Sequence, residues 1–197
     1  MIIHNIAQRS DEWFDIRQKK MTASHGQVIG NCGKGLTSYI RKIMYEYFSS
    51  AERESFGNKH TERGNKLEPT ARFIYEMHTG QNVEEVGFIE HSEYVGCSPD
   101  GLVGTDGMLE IKCPDDKGYL DLLLDKKPES KYIWQMQMQM LVAERNWCDF
   151  MAYNPNFKQD KFIQRYYPDP EKYAKLNTGF IMGEALMEEI EKSIKGV

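Results

Sequence analysis

The stretch CSPDGLVGTDGMLEIKCP, residues 97–114, constrains the fold of this 197-residue chain more than any other part of its sequence. It opens with the tripeptide PDG at 99–101, which is typical of a tight turn. It closes with a short predicted strand, 108–113. Because side chains alternate between the two faces of a strand, Glu110 and Lys112 share one face and the apolar residues share the other. The pattern predicts a strand that packs one side on a core and presents charge on the other.

Length and composition predict one globular domain over residues 1–197 with a sizeable core, or one domain with a small appendage. The formal net charge of −5 argues mildly against an indiscriminate nucleic-acid binder, although it leaves room for a local basic cleft. No apolar run is long enough to span a bilayer, and the first residues lack the layout of a secretory signal. We therefore expect a cytoplasmic protein without a membrane partner.

The cysteine and histidine spacing disfavours a zinc or iron–sulfur site. None of the four cysteines forms a C-x-x-C pair, and the five histidines are scattered. In a reducing compartment such cysteines are expected to be free thiols packed in the core.

Helix and strand signals alternate along the chain. Helices are predicted over 11–20 with Ser10 as N-cap, from 22–24 to near 30, over 37–48 with Thr37 as N-cap, and over 61–79, 116–125, 131–144 and 171–194. Strands are predicted over 83–91, 93–98, 108–113, 147–153 and 161–167. The order indicates an α/β fold with a mixed central β-sheet flanked by helices.

Four local features refine this prediction. Residues 31–36 and 49–59 are predicted to be loops, and Pro69 is expected to break, kink or delay the helix over 61–79. The apolar stripe of the last helix predicts packing on the domain's own sheet, with a subunit interface as the alternative.

Two interpretations of Asp100, Glu110 and Lys112 remain open from the residues alone. They could form the solvated side of a hairpin, which is the ordinary explanation for an isolated PD…ExK pattern. Alternatively, two carboxylates from neighbouring strands and the Ile111 carbonyl would offer hard oxygen ligands to Mg²⁺. Lys112 would then orient or deprotonate a water, or stabilise developing negative charge, as phosphodiester hydrolysis requires.

The blocks SPDG at 98–101 and LEIKCP at 109–114 resemble the signature of phage lambda-type exonucleases. These are viral recombination nucleases with the restriction-endonuclease-like core of the PD-(D/E)xK superfamily. Further matches, in the family's order, are Trp13, Arg17 and TAS at 22–24, then 64–68, then the glutamines in QMQ at 135–137. The likeness covers about residues 10–155.

The resemblance implies a role for each matched residue. Asp100, Glu110 and the Ile111 carbonyl would bind metal, Glu68 would help hold a second metal or its water, and Lys112 would serve the attacking water. A pocket for the 5′-terminal phosphate would comprise Arg17, Ser24, Ser98 and Gln137, with Gln135 a weaker candidate.

Several of these residues could also have a purely structural role. Arg17 could pair with Asp11 or Glu12, Ser24 could cap a helix, and Ser98 could serve only its turn. Glu68 could be an ordinary acid near a helix start, where the helix dipole favours it.

The function implied is a Mg²⁺-dependent 5′→3′ exonuclease, with two ions per site and Mn²⁺ as the alternative metal. It would degrade one strand of linear double-stranded DNA to mononucleotides and leave 3′ single-stranded tails for phage recombination. The expected partners are a phage single-strand annealing protein and further copies of the chain in a trimeric ring, in the host cytoplasm. The alternatives are an endonuclease on the same core, of restriction or repair type, and a non-catalytic DNA-binding or assembly module.

Overall fold

The computed structural model describes residues 1–49 and 59–196, and this part contains seven α-helices and nine strands. The helices are α1 (Asp11–Arg17), α2 (Gly26–Asn31), α3 (Lys34–Phe48), α4 (Lys59–Thr79), α5 (Asp116–Asp125), α6 (Ser130–Ala143) and α7 (Pro170–Lys195), with a 3₁₀ turn at Ala23–His25. The strands are β1 (Ile2–His4), β2 (Met21–Thr22), β3 (Val83–Glu84), β4 (Phe88–Ser92), β5 (Val95–Cys97), β6 (Gly101–Val103), β7 (Gly107–Lys112), β8 (Trp147–Tyr153) and β9 (Lys161–Tyr166).

The α/β class is confirmed, but the strands form two mixed sheets instead of one. The four-stranded sheet has the order β1-β4-β5-β2, and the five-stranded sheet has the order β3-β6-β7-β8-β9. The chain passes from the first sheet to the second between Cys97, which ends β5, and Gly101, which begins β6. The SPD tripeptide at 98–100 is therefore the junction between the two sheets.

Strand β7 lies in the middle of the five-stranded sheet, antiparallel to β6 and parallel to β8. Leu109 and Ile111 belong to a core with Ala71 and Tyr75 of α4, whereas Met108, on the opposite face, belongs to the core that contains the methionines of α6. The face predicted to be charged is thus covered by a helix. As a consequence Glu110 is fully buried, with no exposed area.

Helix α4 runs from Lys59 to Thr79 without interruption, so of the alternatives for Pro69 a break and a late start are both wrong. Proline removes only one backbone donor, that to the carbonyl four residues earlier. Burial of Ala71 and Tyr75 against β7 and β8 stabilises the helix on the C-terminal side of this missing bond. Gly80 ends the helix as predicted, with the positive φ of 69° that glycine adopts easily.

Other boundaries differ for local reasons. Ser10 caps α1 as predicted, but the helix ends at Arg17 because Lys19 turns to a φ of 59°. Helix α3 begins at Lys34 after an N-cap at Gly33, so Thr37 is not its cap and the 31–36 loop is shorter than predicted. The short strand β6 was not predicted. Of the predicted 49–59 loop, residues 50–58 lie outside the described residues.

The last helix buries its stripe mainly on other helices, α2 and α3 among them, and at Gly183 it also contacts Met21 of β2, so the predicted packing on the sheet is correct only in part. A Cβ atom at Gly179 would lie 2.3 Å from the carbonyl oxygen of Ile29 in α2, and one at Gly183 would lie 2.5 Å from the sulfur of Met21. Leu176 and Met187 on the same side are fully buried. The four cysteines are free thiols, as expected.

Candidate active site

Asp100 is fixed to β7 by a backbone hydrogen bond. The main-chain N–H of Ile111 donates to Asp100 Oδ2 at 2.6 Å. Because β6 and β7 pair with Gly101 opposite Leu109, the residue before β6 lies beside the residue after Leu109, which is Glu110. The hairpin thus brings Asp100 and Glu110 together.

Both oxygens of the buried Glu110 carboxylate accept hydrogen bonds from side chains. Gln135 Nε2 donates to Oε1 at 2.6 Å, and Gln139 Nε2 donates to Oε2 at 2.7 Å. The ammonium group of Lys112 also contacts Oε1. A buried carboxylate needs such partners, because an unpaired charge in the interior is very costly.

Lys112 lies beside both acids and reaches the surface with 27% of its side chain exposed. Burial alone would lower its pKa, but the negative charges of Glu110 and Asp100 outweigh this effect and raise it. Burial raises the pKa of Asp100 well above its usual range, and the charge of Glu110 raises it further. The acids therefore repel each other, and Lys112 offsets only part of that repulsion.

Glu68 of α4 belongs to the same region. Its carboxylate accepts from Arg72 at 3.0 Å and from Arg9 at 3.1 Å, and Arg72 also donates to the backbone oxygen of Asp100 at 3.2 Å. Glu68, Asp100, Ile111 and Lys112 line one cavity of about 830 Å³. We call Asp100, Glu110, Lys112 and Glu68 the carboxylate cluster.

The donor chemistry of this cluster fits a hard divalent cation. Asp100 and Glu110 supply carboxylate oxygens, and their repulsion is what a cation would relieve. Across the part of the chain that the structure describes, no three acidic, histidine or cysteine side chains form a complete cage. Mg²⁺ in proteins is typically held by one or two carboxylates, with water and substrate phosphate in its remaining positions.

Arg17 and Ser98 form a second group near the junction. Arg17 donates to Ser98 Oγ at 3.2 Å and lies 4.0 Å from the centre of the Trp13 ring, while Trp13 Nε1 donates to the same Oγ at 2.9 Å. Burial lowers the pKa of Arg17 to about 10. Within the described ranges Arg17 forms no ion pair, so the alternative of a pair with Asp11 or Glu12 is not what the structure shows.

Ser24 lies in the 3₁₀ turn Ala23–His25, next to His25. Its hydroxyl lies 3.2 Å from His25 Nδ1 and 3.4 Å from Thr22 Oγ1. Burial lowers the pKa of His25, and the charges of Lys42 and Arg17 lower it further, so His25 lies within electrostatic reach of Arg17. Ser24 does not cap a helix, because the caps of the two short helical segments here are Thr22 and His25. We call Arg17, Ser98 and Ser24 the Arg17 pocket.

Gln137 does not join this pocket, which corrects the expectation from the resemblance. Its Nε2 donates to the Tyr167 carbonyl at 2.8 Å, and its Oε1 accepts from the Asp169 N–H at 2.8 Å. Both amide groups thus hold the segment that leads into α7. Gln137 lies two residues from both Gln135 and Gln139, and residues two apart on a helix point to different sides. Gln137 therefore points away from Glu110, which the other two glutamines contact.

Sequence reasoning missed Gln139, which binds Glu110 and also lies with Nε2 3.5 Å from the Ser98 carbonyl. The signal was present, since Gln135 and Gln139 are four residues apart and share one face of a helix. Gln139 is the side chain that touches both the carboxylate cluster and the segment carrying Ser98.

Solved structures define the class of this fold. An alkaline exonuclease from Laribacter hongkongensis, LHK-Exo, superposes with a TM-score of 0.82 at 32% identity, over 95% of this chain and 99% of that chain. The same protein in complex with dAMP matches equally. A phage-related exonuclease from Haemophilus somnus 129PT shares the fold, with a TM-score of 0.72 at 17% identity over 91% and 98% of the two chains. The fold is that of the alkaline exonucleases.

The family follows from the sequence. The model of the YqaJ-like viral recombinase domain matches residues 12–146. The chain belongs to this family, which confirms the resemblance found in the motifs. The uncharacterized protein R354 of Acanthamoeba polyphaga mimivirus is 28% identical, over 76% of this chain and 29% of that protein. The chain thus spans less than a third of this curated relative. None of the helices in the described ranges has the apolar length needed to cross a bilayer.

Proposed function

We propose that this protein is a divalent-metal-dependent nuclease, and specifically a 5′→3′ exonuclease acting on linear double-stranded DNA. The observation that carries the proposal is the convergence of Asp100, Glu110 and Lys112 on a pair of neighbouring strands, with Asp100 and Lys112 lining one open cavity. The charged face of β7 is covered by α6, and Glu110 is fully buried. These observations argue against the alternative in which this face is only the solvated side of a hairpin.

The residues divide the chemistry among them. Asp100, Glu110 and the Ile111 carbonyl would hold a Mg²⁺ or Mn²⁺ ion, with Glu68 placed to hold the water of a second. When bound, such ions supply Lewis-acid stabilisation of the phosphate charge and of the leaving oxygen. Lys112, which contacts Glu110, would donate hydrogen bonds to the attacked phosphate, stabilise its negative charge and orient the water.

The Arg17 pocket would set the direction in which the DNA strand is degraded. A partly buried guanidinium that has no acidic partner among the described residues, and that contacts the Ser98 hydroxyl, suits the doubly charged terminal phosphate of a 5′ end. Ser98 and Asp100 are two residues apart in the junction, so an anchored 5′ end brings a nearby phosphodiester bond to the carboxylate cluster. Cleavage there would release 5′ mononucleotides and leave a 3′ single-stranded tail.

The test uses linear duplexes that carry a 5′-phosphate or a 5′-hydroxyl, with and without Mg²⁺. We expect rapid Mg²⁺-dependent loss of 5′ label from the phosphorylated duplex and slow loss from the hydroxylated one. Degradation from 3′ ends, or activity in chelator, contradicts the proposal. Cleavage of covalently closed plasmid would instead identify an endonuclease, and DNA binding without hydrolysis would identify a non-catalytic module.

The proposal extends to assembly, on the strength of the family alone. We propose a homotrimeric ring that concentrates modest basic patches around DNA, working in the host cytoplasm with a phage single-strand annealing protein. Light scattering of the purified chain should report three times the 22.9 kDa monomer mass. A monomer at working concentration would contradict the ring without affecting the nuclease proposal.

A further inference from the structure

Gln139 lies at a buried position where an amide side chain lowers the stability of the protein. Its side chain is fully buried on α6, between Met138 and Met140, which are also fully buried. The Nε2 group donates to Glu110 Oε2 at 2.7 Å, but the Oε1 atom is buried without a hydrogen-bond partner among the described residues.

This half-satisfied amide costs stability. A buried acceptor without a partner costs on the order of 1–3 kcal/mol, which a methionine at the same position would avoid. A methionine would, however, leave Glu110 Oε2 with no N–H donor among the described side chains. Packing therefore does not explain the glutamine at 139, whereas its bond to Glu110 does.

The three donors to Glu110 restrain it from separate directions. Lys112 and Gln135 contact Oε1, while Gln139 is the described side chain that binds Oε2. Rotation about the Cγ–Cδ bond would move both oxygens away from their donors, so the donors on Oε1 and the amide of Gln139 on Oε2 together fix the plane of the carboxylate. The 3.5 Å approach of Gln139 Nε2 to the Ser98 carbonyl ties the same amide to the segment of the Arg17 pocket.

We propose that Gln139 is a positioning residue, which fixes the plane of the Glu110 carboxylate so that its free lone pairs face the metal site. This inference rests on the proposed function and adds a residue to it. Residues that orient a metal-ligating side chain in this way typically change metal affinity 10–100-fold when they are lost. Gln139 therefore acts on metal affinity through Glu110 and touches neither metal nor DNA.

The test measures Mn²⁺ binding to the DNA-free full chain by calorimetry. In Gln139→Met, which keeps the volume and removes the amide, we expect Mn²⁺ affinity to fall about 10–100-fold. Gln139→Asn, which keeps an amide too short to reach Glu110, should show the same loss. The matched control is Gln137→Met on the same helix, which should lower the unfolding temperature without changing Mn²⁺ affinity.

A double-mutant cycle shows whether Glu110 carries the effect. In a Glu110→Ala background, Gln139→Met should cause no further loss of Mn²⁺ affinity. Wild-type affinity in a folded Gln139→Met protein overturns the positioning role, and so does misfolding of both Gln139 variants, which would make the residue structural. If the wild-type chain itself binds no Mn²⁺, the proposed function fails instead.

Discussion

The carboxylate cluster and the Arg17 pocket lie on either side of the same junction, but the chain builds them differently. Asp100 and Glu110 are on a hairpin and are joined through the backbone at Ile111. Arg17 and Ser98 are 81 residues apart in sequence and meet through side chains alone. The cluster has several internal hydrogen bonds, whereas Arg17 has no acidic partner among the described residues. The first arrangement therefore pairs most of its charges within the protein, and the second leaves a guanidinium without a carboxylate.

The largest expected effect is on the cluster. The substitution Lys112→Ala should reduce the rate of hydrolysis about 10²–10⁴-fold, because the ammonium group beside Asp100 and Glu110 is lost. Binding of 5′-phosphorylated duplex should persist, since the Arg17 pocket is untouched. Single-turnover cleavage and fluorescence anisotropy measure the two properties separately. Lys192→Ala, at an 80% exposed side chain on α7, is the control; equal rates in the two variants would refute the assignment.

The next effect should appear in the Arg17 pocket. Arg17→Lys keeps a positive charge but loses the planar fork, so the preference for 5′-phosphate over 5′-hydroxyl ends should fall about 10–100-fold. This range corresponds to the 1.5–3 kcal/mol of a hydrogen bond to a charged group. The ratio of kcat/KM on the two duplexes is the measurement. The hydroxylated duplex is the internal control, and an equal rate loss on both substrates would place Arg17 outside end recognition.

A smaller effect, on stability and not on end preference, is expected when Gln137 is replaced. Gln137→Met removes two buried hydrogen bonds to the 167–169 segment, so the free energy of unfolding should fall by about 1–3 kcal/mol. The 5′-phosphate preference of the folded variant should match wild type. Denaturant unfolding and the same kcat/KM ratio test this pair of outcomes. Loss of the preference in a stable variant would return Gln137 to the pocket.

The smallest expected effect is on the pH dependence of stability, through Glu90 in the four-stranded sheet. Burial alone would raise the pKa of Glu90, but hydrogen bonds from Lys20 and His4, both at 3.0 Å, outweigh it and lower the pKa. An acid with a lowered folded pKa adds stability above its unfolded pKa, about 4.3, and loses it as the pH falls through the folded value. Urea unfolding from pH 6 to 3 should therefore show a decline below about pH 4. Glu90→Gln should lack this component, and an identical decline in both proteins would refute it.

The sequence predicted the bounds of helices and strands correctly where nearby residues determine them. Helix α5 matches its predicted bounds of 116–125, and β8 matches 147–153. Ser10 caps α1 through its hydroxyl, as a serine before an acidic first turn predicts. In each case the signal lies within a few residues of the feature it determines.

The prediction failed where distant packing outweighs a local rule. Pro69 lies inside α4 because the buried residues after it hold the helix against the sheet. Whether the charged face of β7 is solvated or covered stayed open, because nothing near residue 110 shows that α6 covers it. In WQMQMQML, helical geometry was correctly predicted and Gln137 correctly placed among apolar residues, but its partners come from residues 167–169. No spacing rule links those two segments.

The sequence by itself determined the chemistry of this protein: two acids, a lysine and an SPDG turn, with the family that those blocks identify. It could do so because the strand period and the turn set the relative positions of residues 98–112. Only the tertiary structure decided that one strand face would be buried under α6, that Gln139 rather than Gln137 would meet the acids, and that Arg17 would face Ser98. These outcomes depend on how helices pack on sheets, which is a property of distant surfaces.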